Sequence, residues 1–171
     1  MLFRILGGAL VCLSCTLLGI YVGGRGTRRH TALAEFKRSL LMLKSEMEYA
    51  IYPLHKAFIN ISNRTGRPIS DFYKQMSEKL LARDKDLGGI WTEGMEVLST
   101  SSLAKEDIDT IAVVGRALGS IDASVQLASI DMTITAIDDA INMLNEENAK
   151  NGRMYKSIGI VSGLLITIVL L

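Results

Sequence analysis

Cys12 and Cys15 form a C-x-x-C pair, a spacing that serves thiol exchange or zinc in a soluble chain. Here both thiols lie inside an uncharged stretch, and the chain of 171 residues has no other cysteine. Thiols in an apolar helix pack as small hydrophobes, so neither redox nor zinc chemistry is expected of them. His30 and His55 are lone, with no acid or cysteine at ligand spacing. The run from Gly23 to Gly26 is no phosphate loop, because it lacks a preceding strand and a Gly-Lys-Ser/Thr sequence. Asn60 with Ser62, and Asn63 with Thr65, match a glycosylation pattern that is common by chance. Asp131, Asp138 and Asp139 read as the wet edge of a long helix rather than as a metal site. No nucleophile stands with a base. The expectation is a protein without catalytic, cofactor-binding or metal-binding residues and without a small-molecule substrate.

The elements behind these residues follow from composition. The chain is 49% hydrophobic but 6% aromatic, with a mean hydropathy of +0.27. Nineteen bases against eighteen acids leave a net charge of +1, which argues against a nucleic-acid partner. Two prolines suit a helical chain better than a turn-rich β fold.

The apolar excess sits at the two ends. Residues 5–24 form an uncharged run of 20, which as a helix reaches about 30 Å, the thickness of a hydrocarbon core. Residues 157–171 form a second run of 15, which reaches only about 22 Å. It spans if the bilayer thins or if Met154, Tyr155 and the stem of Lys156 extend it. The first run is read as an uncleaved anchor rather than a signal peptide, since no small-x-small site follows it. Arg25, Arg28 and Arg29 follow the first run, and Lys150, Arg153 and Lys156 precede the second. Both basic flanks face the same side, which places residues 25–156 in the cytoplasm between membrane helices 1–24 and 157–171.

The middle is helical throughout. Leu33, Phe36, Leu40, Leu43, Met47, Ala50 and Leu54 recur at alternating spacings of three and four, a core-facing stripe. Pro53 opens a second helix reaching about Asn63, and residues 63–68 form the clearest turn. Ser70 caps a third helix that buries Phe72, Met76 and Leu80. Trp91, Met95 and Leu98 keep helical spacing through a glycine-weakened fourth. Glu106, Asp107 and Asp109 load the first turn of a fifth, which ends at Leu118. The last helix, about 120–151, carries two apolar stripes. One is Leu127, Ile130, Ile134, Ile137, Ile141 and Leu144; the other is Val125, Ala128, Met132, Ala136, Ala140 and Met143. Two such faces predict a helix in the middle of a bundle. The fold expected is all-α: a cytoplasmic bundle of about six helices between an N-terminal and a short C-terminal transmembrane helix.

Three further features bear on partners. Residues 25–85 carry thirteen bases and six acids, whereas residues 86–149 carry two bases and twelve acids. Either the two halves form a solvated, mutually attracting surface, or the basic half meets anionic lipid and the acidic half a protein. In the second case Asp131, Asp138 and Asp139 are partner-face candidates for a basic surface. Gly19 with Gly23, and Gly159 with Gly163, place one small-residue groove on each apolar run. These grooves suit pairing with each other or with other membrane subunits. Finally, Gly115, Gly119, Asp122 and Gln126 mark a tight turn, with Gly119 expected as a left-handed stop, Ser120 or Asp122 as the next cap, and Gly115 as a site of close packing.

Several segments together resemble the stage III sporulation protein AB family. They are Leu43 to Tyr49 with Pro53-Leu54; Leu103 with Asp107, Gly115, Leu118-Gly119, Asp122 and Gln126; and Met154 to Gly159 with Ser162-Gly163. The resemblance runs almost end to end. It implies a component of the membrane complex that joins mother cell and forespore during endospore formation. The family is similar to the cytoplasmic helical domain of platform proteins of type II secretion and type IV pilus machines. The resemblance therefore implies a non-enzymatic platform or scaffold whose partners are membrane lipid, a secretion-type cytoplasmic ATPase and other membrane subunits of the sporulation complex. The implied location is the mother-cell membrane facing the forespore. A membrane-anchored helical signalling or adaptor protein is the alternative.

Overall fold

A computed structural model describes the backbone of residues 2–49, 53–82 and 86–170 and the side chains of residues 26–49, 53–82 and 86–149. Six helices follow one another: α1 (Leu2–Tyr49), α2 (Leu54–Ser62), α3 (Ile69–Ala82), α4 (Leu87–Ser99), α5 (Lys105–Leu118) and α6 (Ala123–Leu170). No strand occurs among the described residues. The all-α class is as expected, but the count is distributed differently. The expected anchors are not separate helices flanking six others. Residues 2–24 and 157–170 belong to α1 and α6, each 48 residues long, and α1 runs through Gly23–Gly26 without a break. Glycine weakens a helix by about 1 kcal/mol but does not end one unless a cap or turn does.

The side chains of both expected membrane runs, including Cys12 and Cys15, lie outside the described residues. Among those described, no helix is long and apolar enough to cross a membrane. The chain divides into two compact units, one of Arg29–Ile141 and one of Met1–Arg28 with Asn142–Leu171. In the second, α1 and α6 approach closely at Gly26, where a Cβ would stand 3.3 Å from Asn148 Cγ.

The larger unit holds the core. Leu33, Phe36, Leu40 and Leu43 of the α1 stripe are fully buried; Met47 and Leu54 are half-buried, and Ala50 lies outside the described residues. Phe36, Phe58, Phe72, Tyr73 and Trp91 form one aromatic cluster, with Phe72 edge-on to both Tyr73 and Trp91 at 5.0 Å between centroids. Each such burial contributes about 1.5–3 kcal/mol, and edge-to-face geometry adds roughly 0.5–1.5 kcal/mol. The polar tips inside are satisfied: Trp91 Nε1 donates to the Ile111 carbonyl at 3.3 Å, and the Tyr73 hydroxyl meets Ser39 Oγ at 3.0 Å. Burial pushes the Tyr73 phenol far above its ordinary range, with the Ser39 bond opposing it, so it stays protonated.

One expectation about α6 is overturned. Ile130, Ile134, Ile137 and Leu144 are buried, whereas Val125, Ala128, Met132, Ala136 and Met143 are exposed and Ala140 is half-buried. Helix α6 packs by one face and is not the centre of the bundle.

Candidate interaction surface

Where α6 lies beside α1, its acids are partly taken. Lys44 Nζ donates to both carboxylate oxygens of Asp131, at 2.7 and 2.8 Å, and sits 3.9 Å from Glu48. Lys37 pairs with Asp138 about two helical turns away. The bond to Asp131 raises the Lys44 ammonium above its ordinary 10.5. Asp131 and Asp138 therefore fasten α6 to α1, a role that spacing along α6 alone did not suggest. Asp139 is exposed and makes no ion pair among the described residues.

A second polar clamp holds the start of α5. Arg29 grips Asp107 with two nitrogens, at 2.8 and 2.7 Å, while Asp107 also accepts the Ala104 N–H at 2.8 Å. A bidentate guanidinium–carboxylate pair is among the stronger polar contacts. Its position in the first turn of α5 explains Asp107 only as charge for the helix dipole. Its partner lies 78 positions away, and nothing local signals it.

The α5–α6 turn has the expected position but not the expected backbone. Gly119 has φ −73° and ψ −10°, an ordinary right-handed conformation. The left-handed stop is thus corrected. The turn is held by side chains instead: Gln126 Nε2 donates to the Leu118 and Ser120 carbonyls, at 3.3 and 2.6 Å, and Asp122 accepts the Ser124 N–H at 2.8 Å. Hydrogen bonding from Ser124, its side chain foremost and this backbone N–H second, holds the Asp122 carboxyl below its ordinary 3.8. Satisfying the orphan carbonyls at the end of α5 removes the need for a left-handed residue. Gly115 is the glycine whose size matters, since a Cβ there would stand 2.7 Å from Trp91 Cγ.

Chemistry-bearing groups do not converge. Among the described residues, no three His, Cys, Asp or Glu could hold a metal ion. His55 lines an open depression of about 430 Å³ with Lys56, Ile59 and Asn60, and no acid or thiol joins it there. Gly19, Gly23, Gly159 and Gly163 lie within the α1 and α6 backbones, but their surroundings fall outside the described residues. What the larger unit offers outward is surface: Ile121, Val125 and Met132 stand open beside Asp122 and Asp139.

The sequence that builds these helices and this turn is matched over nearly its whole length. The family model for stage III sporulation protein AB fits residues 4–171. The chain belongs to the stage III sporulation protein AB family. It is 25% identical over 171 residues to stage III sporulation protein AB of Bacillus subtilis (strain 168), covering 99% of this chain and 100% of that protein. A solved structure of a stage III sporulation protein AB superimposes with a TM-score of 0.68 at 22% identity, covering 71% of this chain and 97% of that one. At that identity the superposition speaks for the shared fold.

Proposed function

We propose that the chain is a non-enzymatic platform subunit of a secretion-like membrane complex required for endospore formation, docking a cytoplasmic secretion-type ATPase. The observation that carries this reading is family membership over residues 4–171. The two uncharged terminal runs support an anchor in the mother-cell membrane facing the forespore, with residues 25–156 in the cytoplasm and contacts to lipid and to other membrane subunits of the complex.

Copurification with the full chain tests the partner. Recovery of a hexameric ATPase supports a platform; recovery of a kinase or transcription regulator in its place would make the protein an adaptor. Topology has its own test. Ser102 is exposed, whereas the neighbouring Ser101 hydroxyl accepts the Leu103 N–H. In a background lacking Cys12 and Cys15, Ser102→Cys should resist membrane-impermeant maleimide in intact cells and react after lysis. Labelling without lysis would reverse the orientation.

A further inference from the structure

Helix α2 carries cations that nothing around it answers. Residues 49–70 contain no acid, yet hold His55, Lys56, Arg64 and Arg67. Elsewhere in the larger unit, cations fasten one helix to another: Arg29 takes Asp107, Lys37 takes Asp138, Lys44 takes Asp131 and Lys79 takes Glu93. Lys56 and Arg64 make no ion pair among the described residues. Arg67 reaches only Asp71, at 3.5 Å, from a largely exposed side chain. We propose that the outward face of α2 and the turn after it dock an acidic segment of a partner protein, with an apolar side chain seated between Lys56 and Arg64. The occupant need not be the ATPase, so this docking site and the platform reading stand or fall separately.

The face is built and held still. Ala57, Phe58, Ile61 and Ser62 turn inward, which leaves Lys56, Ile59, Asn60 and Asn63 along the outer strip. The Ser77 hydroxyl donates to the His55 carbonyl at 2.8 Å, and Thr65 donates to the Ile61 carbonyl at 3.0 Å. Both ends of the strip are thereby tied. The open depression of about 430 Å³ lies along its first half, beside Ile59. Lys56 stands at one end, with Arg64 about 12 Å further along. A partner helix laid on this strip matches it with acids seven or eight positions apart and an aliphatic residue midway. The ends then pair by charge, while the middle removes apolar surface from water.

A membrane surface is a poorer complement. Attachment to anionic lipid by charge takes clusters of about four to eight bases, and this face has Lys56, Arg64 and Arg67 alone. Helix α2 offers no exposed aromatic side chain to insert, since Phe58 is fully buried and Ile59 is recessed at 37% exposure. Nucleic acid is poorer still, because residues 86–149 carry twelve acids against two bases in the same chain. A protein segment needs only two carboxylates and one side chain for the depression. The contact is modest in strength and sensitive to salt.

Photo-crosslinking from the full chain decides it, in the cells that make the protein and with p-benzoylphenylalanine replacing Ile59. The adduct should map to a protein segment with acids about two helical turns apart and an aliphatic residue between them. Lys56→Glu with Arg64→Glu should cut that adduct about tenfold or more, whereas Lys56→Arg with Arg64→Lys should preserve it. Both positions are exposed, so the urea midpoint of each double variant should match that of the parent chain. Changing the acids of the captured segment to lysine should restore the adduct to the Lys56→Glu, Arg64→Glu chain. Adducts to lipid or nucleic acid alone would mean that another class of molecule covers the face. A captured segment without such acids, an adduct indifferent to charge reversal, or no adduct would mean that no acidic segment docks there. Any of these results overturns the proposal.

Discussion

Two seams of the larger unit are built on opposite principles. Where α3, α4 and α5 meet, helices close by shape: Phe72 lies edge-on to Trp91, and Trp91 fills the space left by Gly115. Gly94 leaves the same kind of space for Phe72, with a would-be Cβ 2.9 Å from Phe72 Cδ2. Where α1 meets α6, the margin closes by charge, through Lys37 with Asp138 and Lys44 with Asp131. The first seam has no slack, because interiors at crystal-like density do not accommodate an extra methyl cheaply. The second is soft, because partly exposed ion pairs are screened and readily replaced by water. One bundle therefore contains a rigid half that defines the fold and a margin that responds to its medium.

The largest effect should come from emptying the rigid seam. Trp91→Ala is expected to cost about 3–5 kcal/mol in urea unfolding, since it removes a fully buried ring. A loss under about 1 kcal/mol would mean the seam relaxes around the hole. Overfilling should come next: Gly115→Ala should cost about 1–3 kcal/mol, because the ring of Trp91 must move. Asp107→Ala tests the polar clamp between the two extremes. It deletes both Arg29 bonds and the Ala104 contact and should cost about 1–3 kcal/mol, with little dependence on salt compared with the margin.

The margin itself should show small, medium-dependent effects. Alanine at Lys44, at Asp131 and at both gives a double-mutant cycle whose coupling should be smaller than the Asp107 loss and should shrink as salt rises. Because the Lys44 ammonium is raised above 10.5, its contribution stands in full below that value and is lost as pH climbs through the higher folded value. Coupling that persists at high salt would make the margin as rigid as the seam. The smallest effect carries the opposite sign. At Gly119 an added Cβ meets only ordinary contacts, at 3.6 Å from the Arg116 carbonyl oxygen and 3.7 Å from Asp86 Oδ2. Gly119→Ala should therefore stabilise by about 0.5 kcal/mol through a less flexible unfolded chain. Destabilisation would mean that the turn demands glycine after all.

The same contrast explains what could be read in the sequence. The rigid core was legible because a regular apolar spacing reports which side of a helix is buried, and Leu33, Phe36, Leu40 and Leu43 are there as read. Spacing does not report whether anything covers a second stripe, so the one through Val125 and Met132 predicts core where the structure leaves both residues exposed. The ion pairs were invisible for another reason. Lys37 and Asp138 are separated by 101 positions, and Lys44 and Asp131 by 87, so only the folded arrangement of α1 and α6 joins them. At Gly119 the residue type permits both signs of φ, and Gln126, further along the chain, made the left-handed choice unnecessary.

The position of Trp91 has an optical consequence. It is the chain's sole tryptophan, fully buried and 6.4 Å from the ring of Tyr73. Emission excited at its red edge therefore originates from one place, the apolar junction of α3, α4 and α5. Light absorbed by Tyr73 should pass to the indole while the junction holds, then return as tyrosine fluorescence when it opens. A blue-shifted band that reddens on unfolding would read the rigid seam directly, in the unmodified protein and without a dye.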